Sequence, residues 1–365
     1  MRNSFVYYGF SKRRLLKSLL NISKSIDYIS MLISNFENSH SDLPKDYINY
    51  DLLAGVGKQD SLISNNQSFE KLKDFHAQKK DWLFGYLAYD LKNEVEELSS
   101  NNTDNFNADN LLFFVPEYIL LLKDGQLEIQ THHSKESCDK FVSGFDFSDL
   151  LNDNVSVKLF SRDNRTSYYR KIEKIKNHIK RGDIYEMNYC QEFYADDIEI
   201  VPESIFLELI DRMQTPFSSF LKLNDKYILS ASPERFLRKK ATNILSQPIK
   251  GTRKRGVSKS EDDNLINELK ESQKDMSENV MITDLTRNDL SITAKKGSVN
   301  VEELCRVYTF KQVHQMITSI SSIIHTETNF LDVLKSTFPM GSMTGAPKIR
   351  AMELIEYYED FKRGV

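Results

Sequence analysis

The chain has 365 residues, 40% hydrophobic and 28% charged, and a formal net charge of −4. This is the composition of a folded globular chain with a large core, and its acidic balance excludes a dedicated nucleic-acid binder. No apolar run reaches the roughly 18 residues of a membrane span, no signal peptide opens the chain, and three scattered cysteines give no disulfide or metal pattern, so the cytoplasm is the expected compartment.

Leu15, Leu16, Leu19, Leu20 and Ile22 recur at helical spacing and predict a helix over 12–24. Tyr28 to Ile33 reads as a strand, 35–47 as a polar loop, and Tyr50 to Gly57 as a strand ending in a glycine turn. Trp82 to Leu91 reads as a buried strand, and Gly85 inside it marks a bulge or a close backbone approach. Residues 97–110 are a surface loop. Strands follow at Leu111 to Pro116, Glu117 to Lys123 and Gln126 to Thr131, and 132–154 is polar with no element assigned. The pattern softens near 155, which divides the chain into regions 1–155 and 156–365.

Beyond that point Thr166 or Ser167 can cap a helix carrying Ile172, Ile175 and Ile179, with Gly182 just past its end. A long strand is expected from Ile184 to Phe193, and a hairpin around Asn224-Asp225. Residues 261–281 read as one helix with Lys274 and Glu278 at i, i+4. Residues 347–358 read as another, with Pro347 in its first turn and Thr344 as a candidate cap. Many strands interleaved with a few long helices predict an α+β fold, with helices packed outside large sheets.

Four blocks carry chemistry. The first is Gln247-Pro248-Ile249-Lys250-Gly251-Thr252-Arg253-Lys254-Arg255-Gly256, where Gly251 lets a ligand approach the backbone beside Lys250. That lysine is either a solvated turn residue or a reactive one. Glu234, in Ser232-Pro233-Glu234-Arg235, is either a strand-end partner of Arg235 or an acid. Glu278 is either the surface partner of Lys274 or a metal ligand. Gly341-Ser342-Met343-Thr344-Gly345-Ala346 leads into a helix, a natural cradle for a carboxylate.

In this order and at these spacings the blocks resemble the chorismate-utilising enzymes, a family that includes anthranilate, aminodeoxychorismate, isochorismate and salicylate synthases. The resemblance runs from about residue 165 to 365, with weaker echoes such as Gly85-Tyr86 earlier. It implies a fold of two large stacked, mainly antiparallel sheets. The region 1–155 would be the family's N-terminal part, and 156–365 its chorismate-binding part. It also implies Glu234 as the general acid that protonates the departing C4 hydroxyl of chorismate, and Glu278 as a ligand of Mg²⁺. Gln191, Thr252, Gln315, Gly341, Ser342, Thr344, Gly345, Ala346 and Lys348 would line the substrate.

Pro-Ile-Lys-Gly-Thr resembles the aminodeoxychorismate synthases, in which this lysine attacks C2 covalently before ammonia adds at C4; anthranilate synthases carry a small residue there. A nucleophilic lysine must be neutral, and Arg253, Lys254 and Arg255 could favour that form if they point inward. Gln191 stands where water-activating family members have a lysine, and an amide cannot act as a base. The chain departs from the family at Glu186, Cys190 and Glu192, where Gln, Ser or Thr, and Arg are usual. Gln315 stands where many members have a histidine, and the adjacent His314 should face the other side of its strand. Asp284, Arg287, Asn288 and Asp289 match a block read as a structural tie.

The expected reaction is amination of chorismate to 4-amino-4-deoxychorismate, for folate biosynthesis. Ammonia would come from a separate glutamine amidotransferase, since no glutaminase domain is recognisable. Anthranilate synthase component I is the alternative, although no Leu-Leu-Glu-Ser-type stretch, associated with tryptophan feedback, is seen near the N-terminus. The family's pattern continues beyond Arg363-Gly364 with further strands, a carboxylate-binding arginine and tyrosine, and a second metal-binding glutamate. About 60 to 80 such residues have no counterpart before Val365. The resemblance therefore implies missing C-terminal strands, and a third possibility: a fragment that is inactive and aggregation-prone alone.

Overall fold

The computed structural model describes residues 1–35, 49–150 and 156–365. Most of the expected 35–47 loop, and the boundary at residue 155, lie outside the described residues.

A seven-stranded antiparallel sheet forms the first layer, in the order Asn3–Tyr8, Gln126–Thr131, Tyr118–Lys123, Leu52–Val56, Tyr28–Ile33, Phe217–Leu223 and Lys226–Ser232. Chain from both sides of residue 155 builds it, because Tyr28–Ile33 pairs directly with Phe217–Leu223. The last two strands are the expected hairpin, with Asn224 in the left-handed region that a tight turn requires. One face of the sheet packs the helices Lys12–Ser23 and Pro202–Met213 through Leu15, Leu16, Leu19, Leu20, Phe206 and Ile210. The other face meets a three-stranded sheet of Asp60–Ser64, Leu111–Val115 and Phe84–Leu87, through Tyr28, Leu121 and Leu221 against Phe84, Leu112 and Phe114.

A five-stranded antiparallel sheet forms the second large layer. Its centre is Val313–Ile323, which pairs with Asn243–Gln247, Ile249–Lys254 and Asn300–Thr309; Arg235–Lys240 adds to Asn243–Gln247. Leu290 of the helix Gln273–Ser291 and Val333 of Phe330–Thr337 bury against Ile244 and Ile320 of this sheet. The α+β expectation, with large antiparallel sheets and helices outside, describes the molecule.

Several elements differ from the sequence reading. The polar stretch 132–154 contains a helix, Lys135–Ser143, capped by Ser134 and burying Cys138 on a narrow apolar stripe. The strand expected over 82–91 is ordered only at Phe84–Leu87, and Tyr89–Leu91 turns as a 3₁₀ helix. Gly85 marks a close approach: a Cβ there would lie 1.9 Å from the Leu112 carbonyl oxygen. Asn164, not Thr166 or Ser167, caps the helix Arg165–Arg181, accepting from the Ser167 N–H at 2.9 Å.

The long strand 184–193 reduces to Glu186–Met187 and Phe193–Tyr194. Between them side chains replace the ladder: Glu359 accepts from the Cys190 N–H at 2.8 Å, and Arg363 donates to the Asn188 carbonyl at 2.6 Å. The helix over 261–281 is two helices, Lys259–Glu271 and Gln273–Ser291, because Ser272 leaves helical geometry to cap the second. Thr344 does not cap Lys348–Tyr358; Pro347 holds that position, and the Thr344 hydroxyl donates to the Gly341 carbonyl at 3.1 Å.

Candidate active site

The site forms around a bulge in the second sheet. Along Ile249–Lys254 the register against Val313–Ile323 runs Ile249 to Ile317 and then Thr252 to Gln315, so the strand carries one extra residue. Gly251 adopts φ +91°, the left-handed geometry such a bulge requires. A bulge breaks two-fold alternation and re-aims the neighbouring side chain, here Lys250.

Bulged carbonyls need partners away from the ladder. Asn279, 1% exposed, supplies them: its amide donates to the carbonyl oxygens of Lys250 at 3.3 Å and Met316 at 3.1 Å. Its own oxygen accepts from the Thr318 hydroxyl. The helix Gln273–Ser291 is thereby fixed to the bulge, one residue from Glu278.

The Lys250 ammonium donates to the Ser342 carbonyl oxygen at 3.3 Å and pairs with Glu186 Oε1 at 3.5 Å. Glu186 reaches this place because Glu186–Met187 pairs with Gly345–Ala346. Only glycine allows that contact, since a Cβ on Gly345 would stand 2.3 Å from the Glu186 carbonyl oxygen. Glu234 lies in the turn between Lys226–Ser232 and Arg235–Lys240. Its carboxylate accepts from the Ile249 N–H at 3.1 Å, one residue from Lys250.

Burial pushes the Glu234 carboxyl pKa up; the Ser342 hydroxyl, beside it without an aligned hydrogen bond, the Ile249 N–H and the Lys250 charge pull the other way. Burial also raises Glu186, with Lys250 opposing and Glu278 adding to the rise. Lys250 thus links Glu234 and Ser342 on one side to Glu186 on the other, and Glu186 in turn feels the charge of Glu278. The cluster offers an amine, a carboxyl biased toward its protonated form, and a half-exposed carboxylate. Such groups can attack a ring carbon, protonate a leaving oxygen and hold a cation.

The other site expectations separate. Thr252 and Gln315 face each other in register, and the Gln315 amide oxygen is buried without a hydrogen-bond partner among the described residues. Gln191 donates to the Asp163 carbonyl at 2.8 Å and lines a separate cavity of about 570 Å³ with Met340 and Met343. Lys348 is paired with buried Asp289 at 3.0 Å, joining two helices. In the glycine loop Gly341–Met343 forms a 3₁₀ turn, and the Met343 and Thr344 N–H groups bond within it, at 3.1 Å each, to the Met340 and Gly341 carbonyls. Gly345 and Ala346 form the strand against Glu186.

The basic run does not point toward Lys250: Arg253 pairs with Asp275 at 2.8 Å, Arg255 with Asp262 at 2.7 Å, and Lys254 with Glu261 at 3.9 Å. Gly251 is not open to a ligand, because Asp275 and Leu269 lie 3.0 and 3.1 Å from where its Cβ would be. His314 faces away from the site, fully buried between Asp262 at 2.8 Å and Thr309 at 2.9 Å. The Arg255 guanidinium, with the Gly256 N–H and His314, holds the Asp262 carboxyl far below the usual range.

Among the described residues no three His, Cys, Asp or Glu side chains converge to cage a metal. Glu278 is 34% exposed, and the ion pair recorded for it is with Lys274 at 3.6 Å. One accessible carboxylate suits Mg²⁺, which keeps waters and takes substrate oxygens, and does not suit a closed structural site. No helix among the described residues is long and apolar enough to cross a membrane.

The family profile for chorismate binding enzymes matches residues 37–365. The chain belongs to this family. It is 32% identical over 285 residues to aminodeoxychorismate synthase component 1 of Escherichia coli (strain K12), covering 76% of this chain and 62% of that one. It is 36% identical over 242 residues to anthranilate synthase component 1 of Bacillus pumilus, covering 65% of this chain and 46% of that one. The chain therefore spans less than two thirds of the length of either relative. The menaquinone-specific isochorismate synthase of Escherichia coli superposes with a TM-score of 0.74 over all of this chain and 80% of its own, at 13% identity, a likeness of fold.

Sequence reasoning left two members of the cluster of this chorismate binding enzyme without a role. Glu186 was visible only as a departure from the family, and its approach to Lys250 depends on a pairing some 160 residues away. Asn279 carried one signal, a polar residue beside Glu278 on a helix, which alone does not mark burial.

Proposed function

We propose that the chain is the synthase component of an aminodeoxychorismate synthase. It replaces the C4 hydroxyl of chorismate with ammonia and retains the enolpyruvyl group. The carrying observation is the placement of Lys250, aimed by a bulge at Ser342, in the neighbourhood of the enclosed Glu234. In this reading Lys250 attacks C2 and Glu234 protonates the C4 hydroxyl as it leaves. Glu278 holds Mg²⁺, which supplies positive charge against the substrate's carboxylates. Ammonia arrives from a separate glutamine amidotransferase and adds at C4.

Anthranilate synthase component I is the second reading, favoured by the 36% identity to the Bacillus pumilus protein. Lys250 weighs against it. The two readings differ in product. Incubation with chorismate, Mg²⁺ and ammonium should yield 4-amino-4-deoxychorismate; anthranilate with released pyruvate would overturn the first reading.

A further inference from the structure

The proposal here rests on the amination reading above. A lysine ammonium must lose a proton before its nitrogen can bond to carbon, so a nucleophilic Lys250 needs an acceptor within reach. Three carboxylates are at hand. Glu234 accepts from the Ile249 N–H and is assigned to the leaving hydroxyl. Glu278 pairs with Lys274. Glu186 is the one ion-paired with Lys250, at 3.5 Å, and the side chains are 13% and 21% exposed respectively. Its backbone is held by the pairing with Gly345–Ala346, while the Ser342 carbonyl fixes the ammonium from a second direction.

We propose that Glu186 is the proton acceptor for Lys250. As the Lys250 nitrogen bonds to C2, one ammonium proton passes to the Glu186 carboxylate. The ring double bonds shift, the C4–O bond breaks, and Glu234 gives its proton to the departing hydroxyl, which leaves as water. When ammonia bonds to C4 the bond from Lys250 to C2 breaks. Glu186 returns its proton to the freed lysine, and the new C4 ammonium restores the proton to Glu234. Charge balances at each stage, and no oxidant or reductant is needed. The burial that raises the Glu186 carboxyl helps it keep a transferred proton between the two steps. The transfer also turns a part-buried ion pair into a neutral amine and a neutral carboxyl before the nitrogen bonds to C2, and that bond returns the positive charge to the nitrogen.

Glu186→Gln is the direct test. Glutamine preserves size and is usual at this place in the family, so the variant should fold. With chorismate, Mg²⁺ and ammonium, kcat should fall about tenfold or more while the chorismate KM moves less than about twofold. Glu186→Asp, which keeps the carboxylate, should recover part of the loss. A second readout needs no turnover: labelling of Lys250 by trinitrobenzenesulfonate, located by peptide mass with Lys250→Ala as the blank. Freed from its ion pair, Lys250 should label faster in Glu186→Gln than in wild type. Slower turnover with faster labelling, at a wild-type unfolding midpoint and with partial recovery of turnover in Glu186→Asp, is a combination that a merely structural role would not produce. Wild-type kcat in Glu186→Gln, a loss lying wholly in KM, or unchanged labelling would overturn the proposal. If the wild-type chain makes no 4-amino-4-deoxychorismate, the amination reading itself fails and the proton transfer falls with it. The labelling then still reports whether the ion pair exists, which separates the two failures.

Discussion

The side-chain amide of Asn279 donates to the backbone carbonyl of Lys250 at 3.3 Å, across the join between a helix and a sheet. The same amide serves Met316, and its oxygen takes the Thr318 hydroxyl. One buried side chain thus satisfies the groups that the bulge leaves unpaired. Asn279→Ala would take this donor from the carbonyls of Lys250 and Met316 and leave the Thr318 hydroxyl only the Cys305 N–H, so a loss of about 1–3 kcal/mol is expected from urea unfolding. Turnover should fall too, because Glu278 and Lys250 lose their common support. A wild-type unfolding midpoint would show that the bulge is held by other contacts.

If Lys250 is the proposed nucleophile, Lys250→Ala should remove most aminodeoxychorismate formation. Lys250→Arg should not restore it, because a guanidinium stays protonated and cannot attack. Product analysis by mass spectrometry decides the matter. Wild-type turnover in the Ala variant would exclude the covalent role.

For Glu278, the expected phenotype is in the metal titration. If Glu278 holds Mg²⁺ as proposed, Glu278→Gln removes the ligand charge, so the Mg²⁺ concentration for half-maximal rate should rise about tenfold or more. The variant should fold normally, since its ion pair with the 81% exposed Lys274 contributes little. An unchanged Mg²⁺ titration would point to metal held elsewhere.

The order of elements was legible wherever one periodicity ran unbroken, as in Lys12–Ser23 and the Asn224 hairpin. It was not legible where partners distant in sequence decide the outcome. The run Ile184 to Phe193 has strand composition, yet Glu359 and Arg363 take its polar groups before a ladder can. The basic run 253–255 looked like an influence on Lys250, but acids on two helices pull it away. The resemblance places Lys348 beside the substrate, and its ion pair with Asp289, which joins two helices, is not visible in the sequence. The alternation rule did place His314 correctly, because in the strand Val313–Ile323 that residue turns away, into Asp262 and Thr309. A strand fixes the side on which a residue faces; what meets it there is set by the fold.

The Glu234 carboxyl gives a prediction in which stability and activity move in opposite directions. Burial raises its folded-state pKa, and the Ile249 N–H, Ser342 and Lys250 offset only part of the rise. Between the ordinary glutamate value and the raised one, the folded chain binds more protons at this site than the unfolded chain. Stability from this group is therefore fully present below the unfolded pKa and is lost as pH rises through the folded pKa. Glu234→Gln lacks the titration, and its amide oxygen can still accept from the Ile249 N–H. Its Tm relative to wild type should accordingly increase as pH rises from 4.5 to 8, and level off once the wild-type carboxyl is ionised. Thermal melts of both proteins at matched ionic strength read this directly, and a gap that narrows with rising pH would contradict the raised pKa. The same variant cannot make the proton donation proposed for the departing C4 hydroxyl. Its turnover should fall by about a hundredfold or more across that range, even where it is the more stable protein. A stable variant with wild-type turnover would remove Glu234 from the reaction and leave it a part-buried strand-end carboxyl.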